Sequence, residues 1–164
     1  MLRKGLVGLF ALGVVASVSA AQNASNFSGT WKLNLSKSNP GDYGPSARSE
    51  AITQDGSKFT DKVTSTTQMG ENDYTLTFTA DGKKVTVAPD SPEANMGNLT
   101  LKDITAKVDG GSLVLMEDLS YQGQVDIAAQ LTYSLSPDGK TLTIADHAGT
   151  SMGDFDTSLV LDKQ

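Results

Sequence analysis

The sequence has no cysteine, one tryptophan, one histidine and no basic run. Without cysteine there is neither a lipoprotein junction nor a disulfide, so the fold must hold through its core alone. Arg48 is the one arginine beyond the first four residues, and the net charge of −6 falls to −8 once Arg3 and Lys4 are set aside. A chain this acidic is repelled by nucleic acid and by anionic membrane surfaces, and neither is expected as a partner. A lone His147 falls short of the three protein ligands of a catalytic zinc site, and Asp154 and Asp156 lack the glycine and glutamate of a calcium loop. No metal and no cofactor are expected. Helical periodicity is missing everywhere after residue 20.

Residues 1–20 read as a signal peptide. Arg3 and Lys4 form the positive start, Gly5 to Val18 the apolar stretch, and Val18-Ser19-Ala20 a small-residue cleavage site. The polar pair Gln22-Asn23 follows too soon for a membrane-spanning helix of about 20 apolar residues. The expectation is a secreted or periplasmic protein, with residues 21–164 as one domain, long enough for a real core. Asn-x-Ser/Thr triplets at Asn23, Asn26, Asn34 and Asn98 are what chance supplies in a chain rich in these residues.

What the chain does contain is alternation. Trp31, Leu33 and Leu35 are separated by Lys32 and Asn34, the period of a half-buried strand. Further strands are expected near 48–54, 58–66, 73–79, 83–88, 99–108, 112–119, 124–135, 140–146 and 155–162. A change of phase from Leu99 and Leu101 to Ile104, Ala106 and Val108 predicts a β-bulge at Lys102-Asp103. Outward faces are polar, which excludes insertion as a membrane barrel. Asp55-Gly56, Asp81-Gly82, Asp109-Gly110 and Asp138-Gly139 suit tight hairpins. They fall at alternate connections, so all four close one end of an antiparallel up-and-down barrel, with Trp31 beside Asp162 and Lys163. The longer connections, beginning with the loop 36–47, ring the other end. Ten strands, an even number, let the last pair antiparallel with the first and remove both edges.

Gly29-Thr30-Trp31 opening the first strand, the meander and the loop-ringed mouth resemble the lipocalins and their calycin relatives. The Gly-Thr-Trp-Lys-Leu-Asn opening, Asp81-Gly82-Lys83, Asp138-Gly139-Lys140-Thr141-Leu142-Thr143 and the ending Asp162-Lys163-Gln164 are most similar to secreted lipocalin-like proteins of soil bacteria. The chain departs from lipocalins in having ten expected strands instead of eight, no terminal helix, and Lys163 where an arginine stacks on the tryptophan. Fatty-acid-binding relatives have ten strands with a helical lid after the first, which Pro40 and Pro45 disfavour here.

The resemblance implies a ligand inside the barrel. By alternation Tyr74, Leu76, Phe78, Leu113, Leu115, Ile127, Ala129, Leu131, Tyr133, Phe155 and Leu159 point inward, and of these Tyr74, Phe78, Leu115, Ala129 and Tyr133 are candidate ligand contacts. Arg48 would pair with a ligand carboxylate if it pointed inward, or face solvent. Met69, Met96 and Met152, each followed by glycine, and His147 fall near the mouth. They plug it, form a lip for an apolar ligand, or offer thioethers to Cu(I). Gly29 and Trp31 are structural. Gly149-Thr150-Ser151-Met152-Gly153 matches a nucleophile elbow, but a strand follows it where a helix is needed, so no catalytic residue is assigned. The expected function is that of a monomeric binding module for a small apolar or amphipathic molecule. The alternative is an interaction protein with a filled core that meets its partner through the open-end loops.

Overall fold

The computed structural model describes residues 25–164, and the expected signal peptide lies outside the described residues. The strands are β1 (Gly29–Leu33), β2 (Ala47–Asp55), β3 (Lys58–Thr67), β4 (Gly70–Thr79), β5 (Asp81–Thr86), β6 (Asn95–Met96), β7 (Leu99–Asp109), β8 (Ser112–Tyr121), β9 (Val125–Leu135), β10 (Thr141–Thr150) and β11 (Gly153–Lys163). All ten expected strands are present. The additional one, β6, is two residues long, too short to display a period. Hydrogen bonding runs in the order β4-β3-β2-β1-β11-β10-β9-β8-β7-β5, with β6 against β7. Antiparallel pairing of β11 with β1 closes the wall, setting Trp31 opposite Lys163 and Leu33 opposite Leu161.

The bulge falls where the phase change puts it: β7 slips against β8 between Leu101 and Asp103. The chain between β1 and β2 holds one 3₁₀ turn, Leu35–Lys37, and then runs irregularly to β2, tied by an isolated bridge from Asn39 to Ser158. No helical lid forms there.

Connections at the tight end follow the expectation in three places. Gly56-Ser57 joins β2 to β3, Gly110-Gly111 joins β7 to β8, and residues 136–140 join β9 to β10. Trp31 lies at that end, fully buried with Phe27, Phe59, Leu113, Leu142 and Leu161. Its indole N–H donates to the Phe27 carbonyl at 3.0 Å, and the Lys163 ammonium lies over the ring, 5.1 Å from its centroid. Gly29 leaves room for that lysine, whose Cε would stand 2.8 Å from a Cβ at position 29. The lysine meets the tryptophan through a cation–π contact.

The fourth connection differs from expectation. Ala80 alone separates β4 from β5, yet among the described residues the two strands share no ladder: β5 pairs only with β7, irregularly between Asp81 and Lys84. The cause is in β5 itself. All six of its residues are exposed, and Lys83 shares a face with Val85. Ala80 alone is also one residue short of the two-residue loop of a tight hairpin. The strand stands off, and the barrel keeps one open seam. Nearer the mouth the seam is bridged by the β6 turn, where Gly97 (φ 74°) packs so closely on Asn72 of β4 that a Cβ would overlap the carboxamide.

Candidate functional site

Two features meet behind the open seam. The first is a set of ionisable side chains inside the barrel. On β2, Arg48 and Glu50 face inward two residues apart, and the arginine Nε donates to Glu50 Oε1 at 2.6 Å. Arg48 Nη2 reaches the Tyr74 hydroxyl on β4 at 3.4 Å. Asp61 on β3 and Glu117 on β8 are each 4% exposed, and Tyr133 on β9 is also buried. Asp146 on β10 is half-buried on the inward face with Leu142 and Ile144. The interior thus holds four carboxyl groups and one guanidinium. Glu50 Oε2, Asp61 Oδ1 and Asp146 Oδ1 are buried without any protein hydrogen-bond partner.

Burial dominates how these groups titrate, because a low-dielectric interior disfavours the ionised carboxylate. Burial pushes Asp61 up to about 8, with Glu50 and Glu117 adding to the rise and Arg48 opposing it. Glu117 is pushed up to about 7 by burial and by Asp146, again against Arg48. Asp146 is raised by burial, with Arg48 and His147 opposing. Burial also lifts Tyr74 to about 12 and raises Tyr133. Burial alone would lower Arg48, but Tyr74 and Glu50 outweigh it and hold the guanidinium charged.

The second feature is an apolar cleft of about 290 Å³ at the seam between β4 and β5. Leu76 and Phe78 form one wall, Val85 and Val87 the other, and Leu101, Ile104 and Ala106 of β7 the floor. Phe78 is held in place by stacking on Phe59, ring centroids 5.2 Å apart and planes 6° from parallel. The volume sits at the lower end of the range for small-molecule sites, about 300 Å³. Lys83, at the rim, is exposed and paired with Asp81 at 3.4 Å.

The expected site residues divide into those the fold brings together and those it does not. Arg48, Tyr74 and Tyr133 are inside and form one polar cluster, Phe78 lines the cleft, and Leu115 and Ala129 are buried in the wall. Arg48 points inward, but it is engaged by Glu50 and is not a free partner for a ligand carboxylate. The methionine lip does not form as expected. Met69 and Met152 are 54% and 76% exposed on turns, whereas Met96 is buried in the core, because β6 folds it down over β7. Met69 Sδ accepts a hydrogen bond from Tyr121 at 3.3 Å. His147 lies on β10 with its side chain outward and exposed, its Nδ1 2.8 Å from Asp156 Oδ1. No group of three or more metal-ligating side chains exists among the described residues. Phe155 shares the face of Leu159 but is 44% exposed near the mouth. The Gly149–Gly153 motif is a hairpin turn between two paired strands, Thr150 opposite Gly153.

The buried carboxyls were missed, although the signal was in the alternation. Phe59, Asp61, Val63 and Ser65 share one parity, as do Leu113, Leu115, Glu117 and Leu119. A charge at an inward position of an otherwise apolar face is the mark of an interior ionisable group.

No protein-family model matches the sequence, and no curated protein matches it. Solved structures do. Zebrafish ileal bile acid-binding protein, complexed with cholic acid, superposes with a TM-score of 0.53 at 16% identity, covering 84% of this chain and 98% of that one. Lipid binding protein 8 of Caenorhabditis elegans, in its apo form, gives 0.50 at 15% identity, covering 84% and 95%. At these identities the likeness is one of architecture. The protein is an all-β, antiparallel, up-and-down, nearly closed barrel of ten principal strands, calycin-like and resembling by structure the lipid-binding proteins of that ten-strand form.

Proposed function

We propose that the protein is a secreted or periplasmic binding module for a small amphipathic molecule, whose apolar part occupies the cleft between β4 and β5. The open seam carries this reading: the one gap in the ladder is lined by Leu76, Phe78, Val85, Val87, Leu101, Ile104 and Ala106. Barrels of this architecture include proteins whose names record lipid and bile-acid binding. The location rests on the character of residues 1–20. Native mass spectrometry of protein purified from its own source tests the reading, together with thermal melting against a panel of eight-carbon alkyl compounds. A co-purified molecule and a raised Tm are expected, since any ligand bound only by the native state stabilises it. An empty protein whose Tm no compound raises would sink the carrier role.

A second reading has its own observation. Tyr43, Met69, Met152 and Phe155 are 44–76% exposed around the mouth, the kind of apolar surface a macromolecular partner covers. Replacing Tyr43, Met69 and Met152 with serine together leaves small-molecule uptake intact if the cleft is the site, and abolishes partner capture if the mouth is an interface.

A further inference from the structure

The cleft and the buried carboxyls are adjacent, and their adjacency is written in the strand register. Leu76, on the β4 wall, is the cross-strand partner of Asp61 on β3. Ile104, on the floor, is the cross-strand partner of Glu117 on β8. Directly opposed residues on one face have Cβ atoms about 4.5–5.5 Å apart. Each carboxyl therefore stands one strand behind a residue that lines the cleft.

We propose that the ligand is an amphipathic cation, an apolar tail bearing an ammonium-type head, with the head between Asp61 and Glu117 and the tail in the cleft between β4 and β5. The inference rests on the cleft being the binding site. Arg48 is hydrogen-bonded to Glu50, and among the described residues no cation forms a salt bridge with Asp61 or Glu117, although the Arg48 charge reaches both. Asp61 Oδ1 and Glu50 Oε2 are buried and unpartnered, ready to accept charge-assisted hydrogen bonds from N–H donors. A metal ion fits less well, since no three ligating side chains converge among the described residues. Once Asp61 and Glu117 ionise, a carboxylate head would meet like charge from β3 and β8.

The proton occupancy of Asp61 and Glu117 makes uptake depend on pH. Around Asp61 and Glu117 stand Arg48 and Glu50 on β2, Tyr74 on β4, Tyr133 on β9 and Asp146 on β10, the last influenced by His147 and Asp156 outside. With Asp61 near 8 and Glu117 near 7, these two acids hold protons through much of the neutral range. An incoming ammonium replaces those protons, so uptake strengthens as pH rises from 6 to 9.

The test compares n-octylamine, n-octanol and octanoate by isothermal titration calorimetry of the full chain. The three share a tail and differ in the head. Octylamine is expected to bind about tenfold tighter than either other compound at pH 8, and to release protons in paired buffers of different ionisation enthalpy. Asp61→Asn and Glu117→Gln, near-isosteric with the protonated acids, are expected each to reduce octylamine affinity about tenfold and to leave octanol unchanged. Octanoate binding tightest, or equal affinity for all three heads, would overturn the cationic head while leaving the carrier role standing. Octanol and octylamine both failing to bind would overturn both.

Discussion

At the β1/β11 seam the barrel closes by a backbone ladder over a buried apolar floor, whereas at the β4/β5 seam two consecutive strands part over a cleft backed by buried acids. Both seams lie in one wall and are built from alternating strands, and the difference comes from a few inward positions. Beside the closed seam those positions hold Trp31, Leu142 and Leu161, each of which gains about 1.5–3 kcal/mol on burial. Near the open seam they hold Asp61, one strand behind β4, and Glu117, one strand behind β7, with Lys83 at the rim. The wall parts there, and Asp61 Oδ1 lies buried and unpartnered inside. The closed side supplies stability, and the open side holds the cleft proposed as the site.

Breaking the closed side has the largest effect. Trp31→Ala removes the residue that joins Phe27, the floor and Lys163, and is expected to cost about 4 kcal/mol in urea unfolding, with uptake retained by the fraction that folds. Arg48→Met attacks the polar cluster by leaving Glu50 buried and unpaired, and should cost about 3 kcal/mol by the same measurement.

Asp61→Asn runs the other way. A carboxyl whose folded pKa lies above its unfolded value near 3.8 binds more protons in the native state, so its contribution is present below pH 3.8 and is lost as pH rises to about 8. Glu117 acts in the same sense from 4.5 to about 7. Stability of the empty protein should therefore fall between pH 4 and 8. Asp61→Asn should flatten that fall and stabilise the protein at pH 8 by about 1–2 kcal/mol, followed by chemical denaturation across pH.

Smaller effects sharpen the boundary of the open seam. Gly97→Ala forces a side chain onto Asn72 in a left-handed backbone conformation, and is expected to cost about 1 kcal/mol and to raise amide exchange in β6 and the mouth-side half of β4. His147→Ala, on the outer face, should shift Tm by less than about 2 °C and leave uptake unchanged.

The closed seam was legible in the sequence and the open one was not. Period-two alternation fixed the strands, the phase change located the bulge, and counting connections placed Trp31 opposite Lys163. Asp81-Gly82 misled, because turn chemistry says that a chain reverses, not that the reversed strand pairs. What decides pairing is whether the connection is long enough and the β5 face can be buried, a tertiary question. From the sequence Arg48 reads either as a solvent-facing residue or as a partner for a ligand carboxylate, since its engagement by Glu50 depends on which face of β2 turns inward. Met96 is buried near the mouth because β6 pairs it with β7, a contact no local pattern records.

The central claim, that the open seam is where the molecule binds, is tested most directly by following backbone amide shifts as octylamine and octanol are titrated into labelled protein. The account predicts that the largest shifts fall on Leu76–Thr79, Lys83–Ala88 and Ile104–Ala106, the residues around the cleft. Shifts concentrated instead on the mouth turns at Gln68–Gly70, Gln122–Gln124 and Ser151–Gly153 would contradict it.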